Sequence, residues 1–267
     1  VIDKRLDIGV ILKNNPRMTE SAMLDIRQIS RNIGAQAVLS SVDLRVNEGS
    51  VYGLIGLNGA GKTTLIKCIL DLQHADGGSI EIAGIPSRDK VARTNLIYLP
   101  EKFTPPDYMD GWTYLHYIAD AYIGKAPVHQ RWREQAREHC EQLELEFDAL
   151  NKNICGLSKG MLQKLGIAGC LLSNKRFLIM DEPMSGLDPK ARVLFRNAIA
   201  QLKQQKKTVL FCTHILTDIE KLCDRISLIH KGQILFSGTP AECCRLYRAE
   251  NLEAAFLASI ASLRQET

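Results

Sequence analysis

Between Gly56 and Thr63 the chain reads Gly-Leu-Asn-Gly-Ala-Gly-Lys-Thr, the spacing G-x-x-x-x-G-K-[ST]. Glycines here let a backbone wrap a phosphate so that successive N–H groups and a helix N-terminus point at it. Asn58, Gly59, Ala60 and Gly61 would form the cradle, with Thr64 beside it. Lys62 would reach the β- and γ-phosphates, and Thr63 would offer its hydroxyl to Mg²⁺. A glycine-rich turn alone could share this composition. The apolar run Val51–Ile55 before it and the helix-patterned "TLIKCIL" after it set Lys-Thr in the register that phosphate binding requires.

A pair of carboxylates lies far downstream, in "RFLIMDEP". Four apolar residues precede Asp181 and Glu182, so both stand at the end of a buried strand, where open α/β sheets bind ligands. Adjacent strand residues point to different sides, which assigns Asp181 to Mg²⁺ and Glu182 to the attacking water as general base. An isolated Asp-Glu pair would read as a solvated turn; the phosphate loop elsewhere in the chain reverses that. "KTVLFCTH" ends likewise in a polar group, His214. A histidine in that place is either an ordinary surface residue or, in parallel with the other two strand ends, a γ-phosphate contact.

These groups need a large α/β core to hold them, and 267 residues with 45% apolar and 24% charged composition supply one. The net charge of +4 is scattered, without an arginine-rich block or aromatic–basic interleaving, which argues against nucleic acid as a partner. Apolar runs such as "AGCLL" fall short of the roughly 18–20 residues of a membrane span, and "VIDKRLDIGVILKNN" does not read as a signal peptide. None of the eight cysteines forms a CxxC pair; Cys68, Cys170 and Cys212 read as small core hydrophobes in a reducing cytosol. Residues 1–22 read as a poorly ordered extension, with ordered structure starting near "MLDIRQIS".

Taken in order, the motifs resemble the ATP-binding subunit of an ABC transporter. "GLNGAGKTT" resembles Walker A and "FLIMDEP" Walker B, "SGLDP" the D-loop, His214 the switch histidine, and "LSKGM" the family signature, usually LSGGQ. The resemblance implies an α/β fold over residues 23–267: a P-loop NTPase (RecA-like) mixed sheet core, an antiparallel β subdomain, and an inserted α-helical subdomain at about 102–156. "DGWTYLHYIADAYI" and "HQRWREQAREHCEQLEL" carry helix-period apolar positions there, with Trp112, Tyr114, Tyr117 and Tyr122 read as core or as a rim for a partner helix. The resemblance also implies ATP and Mg²⁺ as cofactors, a homodimer or paired ABC ATPase subunit, a separate transmembrane permease, and a place on the cytoplasmic face of the inner membrane.

Ser158 and the Gly160 N–H would then bind nucleotide held by a partner subunit, with Asp188 contributing from the D-loop. Lys159 puts a cation into the first turn of a helix, against the macrodipole, and Gly160 adds about 1 kcal/mol of helix cost. The partner's phosphate charge would offset both. Glu101 stands where the family carries a hinge glutamine, and its carboxylate can ligate Mg²⁺ or orient water. Ile33 stands where an aromatic adenine platform is usual. "YLPE", "SKGM" and "NLEAAFLAS" resemble the exporter branch that includes drug-, lipid- and sodium-extruding ATPases. An ABC ATPase powering a membrane assembly or regulatory machine without solute transport fits the same residues. A soluble ABC ATPase acting on nucleic acid fits less well, since the chain has one cassette and no long heptad run.

Overall fold

The computed structural model describes residues 21–123 and 131–264. The extension expected over residues 1–22 lies outside the described residues as far as 20, and Ala22 already belongs to the first strand. Strands β1 (Ala22–Ile33) and β2 (Gln36–Asn47) form a hairpin, joined by β4 (Gly77–Ile82) and β5 (Ile85–Pro86) in an antiparallel sheet of order β2-β1-β4-β5.

The second sheet has six strands in the order β10-β9-β3-β8-β7-β6. Its members are β3 (Val51–Ile55), β6 (Leu96–Leu99), β7 (Phe177–Asp181), β8 (Thr208–Thr213), β9 (Arg225–His230) and β10 (Gln233–Gly238). All neighbours are parallel except β10 on β9, which makes the sheet mixed.

The central strands are continuous apolar runs because both faces are covered. Strand alternation divides them between two cores. Val51, Ile55, Leu178, Met180, Val209 and Phe211 join one core, while Tyr52, Leu54, Phe177, Ile179, Leu210 and Cys212 join the other.

On the first face lie α2 (Gly111–Tyr122), α3 (Trp132–Gln142), the short α4 (Phe147–Leu150), α5 (Lys159–Leu172) and α6 (Pro189–Gln204). Also on this side are α7 (Leu216–Leu222), α8 (Pro240–Leu246) and α9 (Leu252–Arg264). The second face carries α1 (Lys62–Ile69) and the antiparallel sheet.

The helices α2 to α4 lie within the stretch read as an inserted subdomain, and α2 buries a stripe of Gly111, Tyr114, Leu115 and Ile118. The aromatics there do not act as one group. Tyr114 is buried, Trp112 lies beneath the guanidiniums of Arg133 and Arg137, and Tyr117 is exposed. Cys68, Cys170 and Cys212 are buried, and burial pushes the Cys170 thiol up to about 12, as expected of core residues.

Candidate nucleotide site

Parallel register aligns the ends of three adjacent strands. Ile55 pairs with Thr213 across β3 and β8, and Asp181 pairs with Cys212 across β7 and β8. The loop after β3, the carboxylates after β7 and His214 after β8 therefore meet at one edge of the sheet, as ligand-binding α/β sheets require.

In the loop, Gly59 and Gly61 both have left-handed backbones, with φ of 79° and 106°. A Cβ on Gly61 would meet the Val38 carbonyl and a Leu39 methyl at 2.9 Å, and one on Gly56 would meet the Ile229 carbonyl at 2.5 Å. Glycine is thus demanded twice over at position 61, by conformation and by the close approach of β2. Helix α1 begins at Lys62 with no side-chain cap and no acidic residue in its first turn, leaving its first N–H groups free for an anion. Lys62 is buried, and its ammonium donates to the Gly56 carbonyl at 2.6 Å.

Thr63 Oγ1 donates to Asp181 Oδ2 at 2.9 Å. Asp181 Oδ1 is buried without a partner. Burial pushes the Asp181 carboxyl above its ordinary value; the charges of Glu182 and Glu101 act in the same direction, against the Thr63 bond and Lys62. A hydroxyl, two carboxylate oxygens with one unsatisfied, and an excess of negative charge suit a hard, oxygen-seeking divalent cation, so the residues fit Mg²⁺. Glu101 is exposed and lies close enough to bias Asp181. Burial, and then the charges of Asp181, Cys212 and Glu101, hold the nearby Tyr98 phenol well above its usual range.

Glu182 is buried, and three groups surround it. His214 Nδ1 lies 2.8 Å from Oε1, Thr213 Oγ1 donates to Oε2 at 3.1 Å, and Lys62 Nζ lies 3.9 Å from Oε1. The pleat is not what separates its role from that of Asp181. Strand β7 stops at Asp181, and Glu182 has φ of 48°, a left-handed backbone that costs a non-glycine residue about 1–3 kcal/mol. The turn itself, pinned by the Glu182 N–H donating to the Cys212 carbonyl at 2.9 Å, aims the side chain back at β8.

Ile33 ends β1, 52% exposed, opposite Gln36 and a few residues from the stretch of β2 that touches Gly61. Asp76 braces that end by accepting the Asn32 N–H at 2.6 Å and an Arg31 guanidinium N–H at 2.6 Å.

The signature stretch makes contacts within its own chain. Ser158 caps α5 by accepting the Met161 N–H at 3.2 Å. The Lys159 ammonium donates to Ser185 Oγ at 3.1 Å, and its stem covers Gly186. A Cβ on Gly160 would lie 3.1 Å from the Gly186 carbonyl, so that glycine serves a close approach within the chain. The Asp188 carboxylate caps α6, accepting the Ala191 N–H at 2.8 Å. Sequence reasoning missed Thr213 and Gln163; the latter is buried and donates to the Pro183 carbonyl at 3.0 Å. The spacing of Lys159 and Gln163, one helical turn apart, says only that they share a face of α5, not what that face touches.

The pattern described as "ABC transporter" matches residues 39–185. An ABC transporter ATP-binding protein of Synechocystis is 39% identical over 206 residues, covering 76% of this chain and 57% of that protein. The chain thus spans little more than half of that relative. A Nod factor export ATP-binding protein of Burkholderia orbicola is 34% identical, covering 82% of this chain and 71% of the other. A solved structure described as the ATP-binding subunit of an ABC transporter superposes with a TM-score of 0.82 at 30% identity, covering 89% of this chain and 99% of the other.

Proposed function

We propose that this chain, which belongs to the ABC transporter ATP-binding proteins, hydrolyses ATP as one of two paired subunits and drives a separate membrane permease. The observation that carries the reading is Glu182, a buried carboxylate clamped by His214 and Thr213 beside the phosphate loop and its Lys62. An ionised carboxylate has about four lone-pair sites, so Glu182 can hold these partners and still accept a proton. Water attacks the γ-phosphorus, its proton passes to Glu182, and the bond to the β-phosphate oxygen breaks to leave ADP and phosphate. His214 fixes the carboxylate and faces the γ-phosphate. Lys62, with the N–H groups of Asn58, Gly59, Ala60 and Gly61, holds the phosphate charge. Thr63 and Asp181, with Glu101 nearby, would hold Mg²⁺, which supplies charge neutralisation and orients the phosphates.

Ser158 and Lys159 are exposed at the start of α5, which supports a site completed by a second subunit, identical or paired. Among the described residues no helix is long and apolar enough to cross a membrane; the permease in this reading is a separate polypeptide on whose cytoplasmic side the chain docks. The likeness to an export ATP-binding protein supports an outward direction. The test is ATP hydrolysis by the purified chain against protein concentration. Specific activity should rise steeply with concentration, and Glu182→Gln should lower turnover by about 10²–10⁴-fold with MgATP still bound. Full activity at high dilution, or turnover by Glu182→Gln near that of the parent, would sink the reading.

A further inference from the structure

Lys159 and Gln163 occupy one face of α5, one turn apart, and both grip the turn that follows Glu182. Gln163 Nε2 donates to the Pro183 carbonyl at 3.0 Å, and Lys159 Nζ donates to Ser185 Oγ at 3.1 Å. From the other side, the Ser185 N–H donates to the Glu182 carbonyl at 3.0 Å and the Leu187 N–H to the Met184 carbonyl at 3.2 Å. The Lys159 stem lies against Gly186, where a built Cβ would meet its Cγ and Cδ at 3.0 Å; φ of 80° there favours glycine in any case. A helix start that is unfavourable by charge and by glycine content is thereby tied, through a neutral hydroxyl, to the turn that carries the buried carboxylate.

We propose that Lys159 is a positioning residue: it latches the 183–186 turn to α5, so that Ser158 at the head of the helix and Glu182 at the head of the turn move as one body. Its consequence for catalysis rests on the reading of the site above; the latch itself does not. With Ser158 serving the nucleotide of a partner and Glu182 that of its own chain, closure at one site sets the carboxylate at the other. A lone glycine in place of Lys159 would remove the hydrogen bond to Ser185 and leave that of Gln163, at the start of the turn.

The latch is read first in the nucleotide-free full chain, by hydrogen exchange of the Ser185 and Leu187 amides. Lys159→Met keeps the apolar stem and removes the ammonium, and Ser185→Ala removes the acceptor. Each should quicken exchange roughly three- to tenfold, the scale of one solvent-exposed hydrogen bond. The double variant should add nothing to either single change, and Lys159→Arg should restore protection. Unchanged exchange in Lys159→Met, or additive effects in the double variant, overturns the latch. In steady-state hydrolysis, Lys159→Met should lower kcat about ten- to hundredfold with KM unchanged, as a misplaced reacting group does, and Lys159→Arg should recover it. A loosened turn with parental kcat overturns the positioning role. A chain that hydrolyses no ATP in any form removes the function proposed above and leaves the exchange result to decide the latch.

Discussion

Thr63 and Asp181 lie 118 residues apart in the chain and share one hydrogen bond, Oγ1 to Oδ2 at 2.9 Å, while Asp181 Oδ1 stays buried without a partner. An unsatisfied buried carboxylate oxygen costs about 1–3 kcal/mol or more for a charged group. The protein therefore carries a local penalty that a bound cation would relieve.

Asp181→Asn tests that penalty through its sign. The native carboxyl is pushed above its ordinary value, so its protonated form favours the fold. Its favourable contribution is complete below the unfolded value and is lost as pH rises through the folded one. The amide escapes this loss. Asp181→Asn should therefore be more heat-stable than the parent at neutral pH, with the gap closing as pH falls into the carboxylate range. Adding Mg²⁺ with ATP should raise Tm more than ATP with a chelator in the parent, and equally in Asp181→Asn. A variant that is less stable at neutral pH would show that Asp181 is a satisfied structural residue.

Thr213→Val preserves volume and removes the hydroxyl that donates to Glu182 Oε2 and accepts the Ile215 N–H at 3.0 Å. Leaving a buried acceptor unpaired costs about 1–3 kcal/mol, read as a lower urea midpoint. Because Glu182 is then held by His214 on one oxygen only, kcat should fall about tenfold or more with little change in KM, within the general-base range. An unchanged kcat would leave His214 and the backbone turn as sufficient supports.

The parts legible in the sequence were those written in consecutive residues. Gly56–Thr63 declares its loop because turn, cradle and helix start are neighbours, and Asp181 and His214 declare themselves because a strand buried on both faces is an apolar run with a visible end. What the sequence hid depends on side-chain direction. Lys159 and Ser185 are 26 residues apart, and Gln163 and Pro183 are 20 apart; nothing in either segment alone says that they touch. The left-handed turn at Glu182 was equally silent, since glutamate gives no conformational signal as glycine does. Trp112, Tyr114, Tyr117 and Tyr122 looked like one aromatic group, yet the helix phase buries Tyr114 and turns Tyr117 out.

Ile33 offers a gain rather than a loss. It is exposed at the end of β1, on a hairpin braced by Asp76 and next to the stretch of β2 that packs on the phosphate loop. If adenine lies there, Ile33→Tyr supplies a stacking face worth about 1–3 kcal/mol, a five- to 150-fold tightening of ATP measured by calorimetry. GTP should lose ground to ATP, or gain equally where stacking is base-tolerant. Unchanged affinity for both nucleotides would place the base elsewhere.

Gly169 shows how the signature helix is seated. A Cβ there would lie 2.6 Å from the Tyr114 hydroxyl oxygen and 2.9 Å from its ring, and the ring is itself held edge-on to Phe103 at 5.1 Å between centroids. Helix propensity alone predicts that Gly169→Ala stabilises by about 1 kcal/mol. Overpacking against a buried, rigid ring predicts a cost of about 1–3 kcal/mol instead. The steric effect should win, because Tyr114 is buried and cannot swing aside as a flexible chain end would. Gly169→Ala should therefore lower the urea midpoint, and adding Tyr114→Phe, which deletes the nearest atom, should recover part of the loss. A midpoint that rises in Gly169→Ala would mean that α2 and α5 can separate at little cost, and that the helical layer carrying Ser158 is held to the core by Gln163 and Lys159 rather than by this packing.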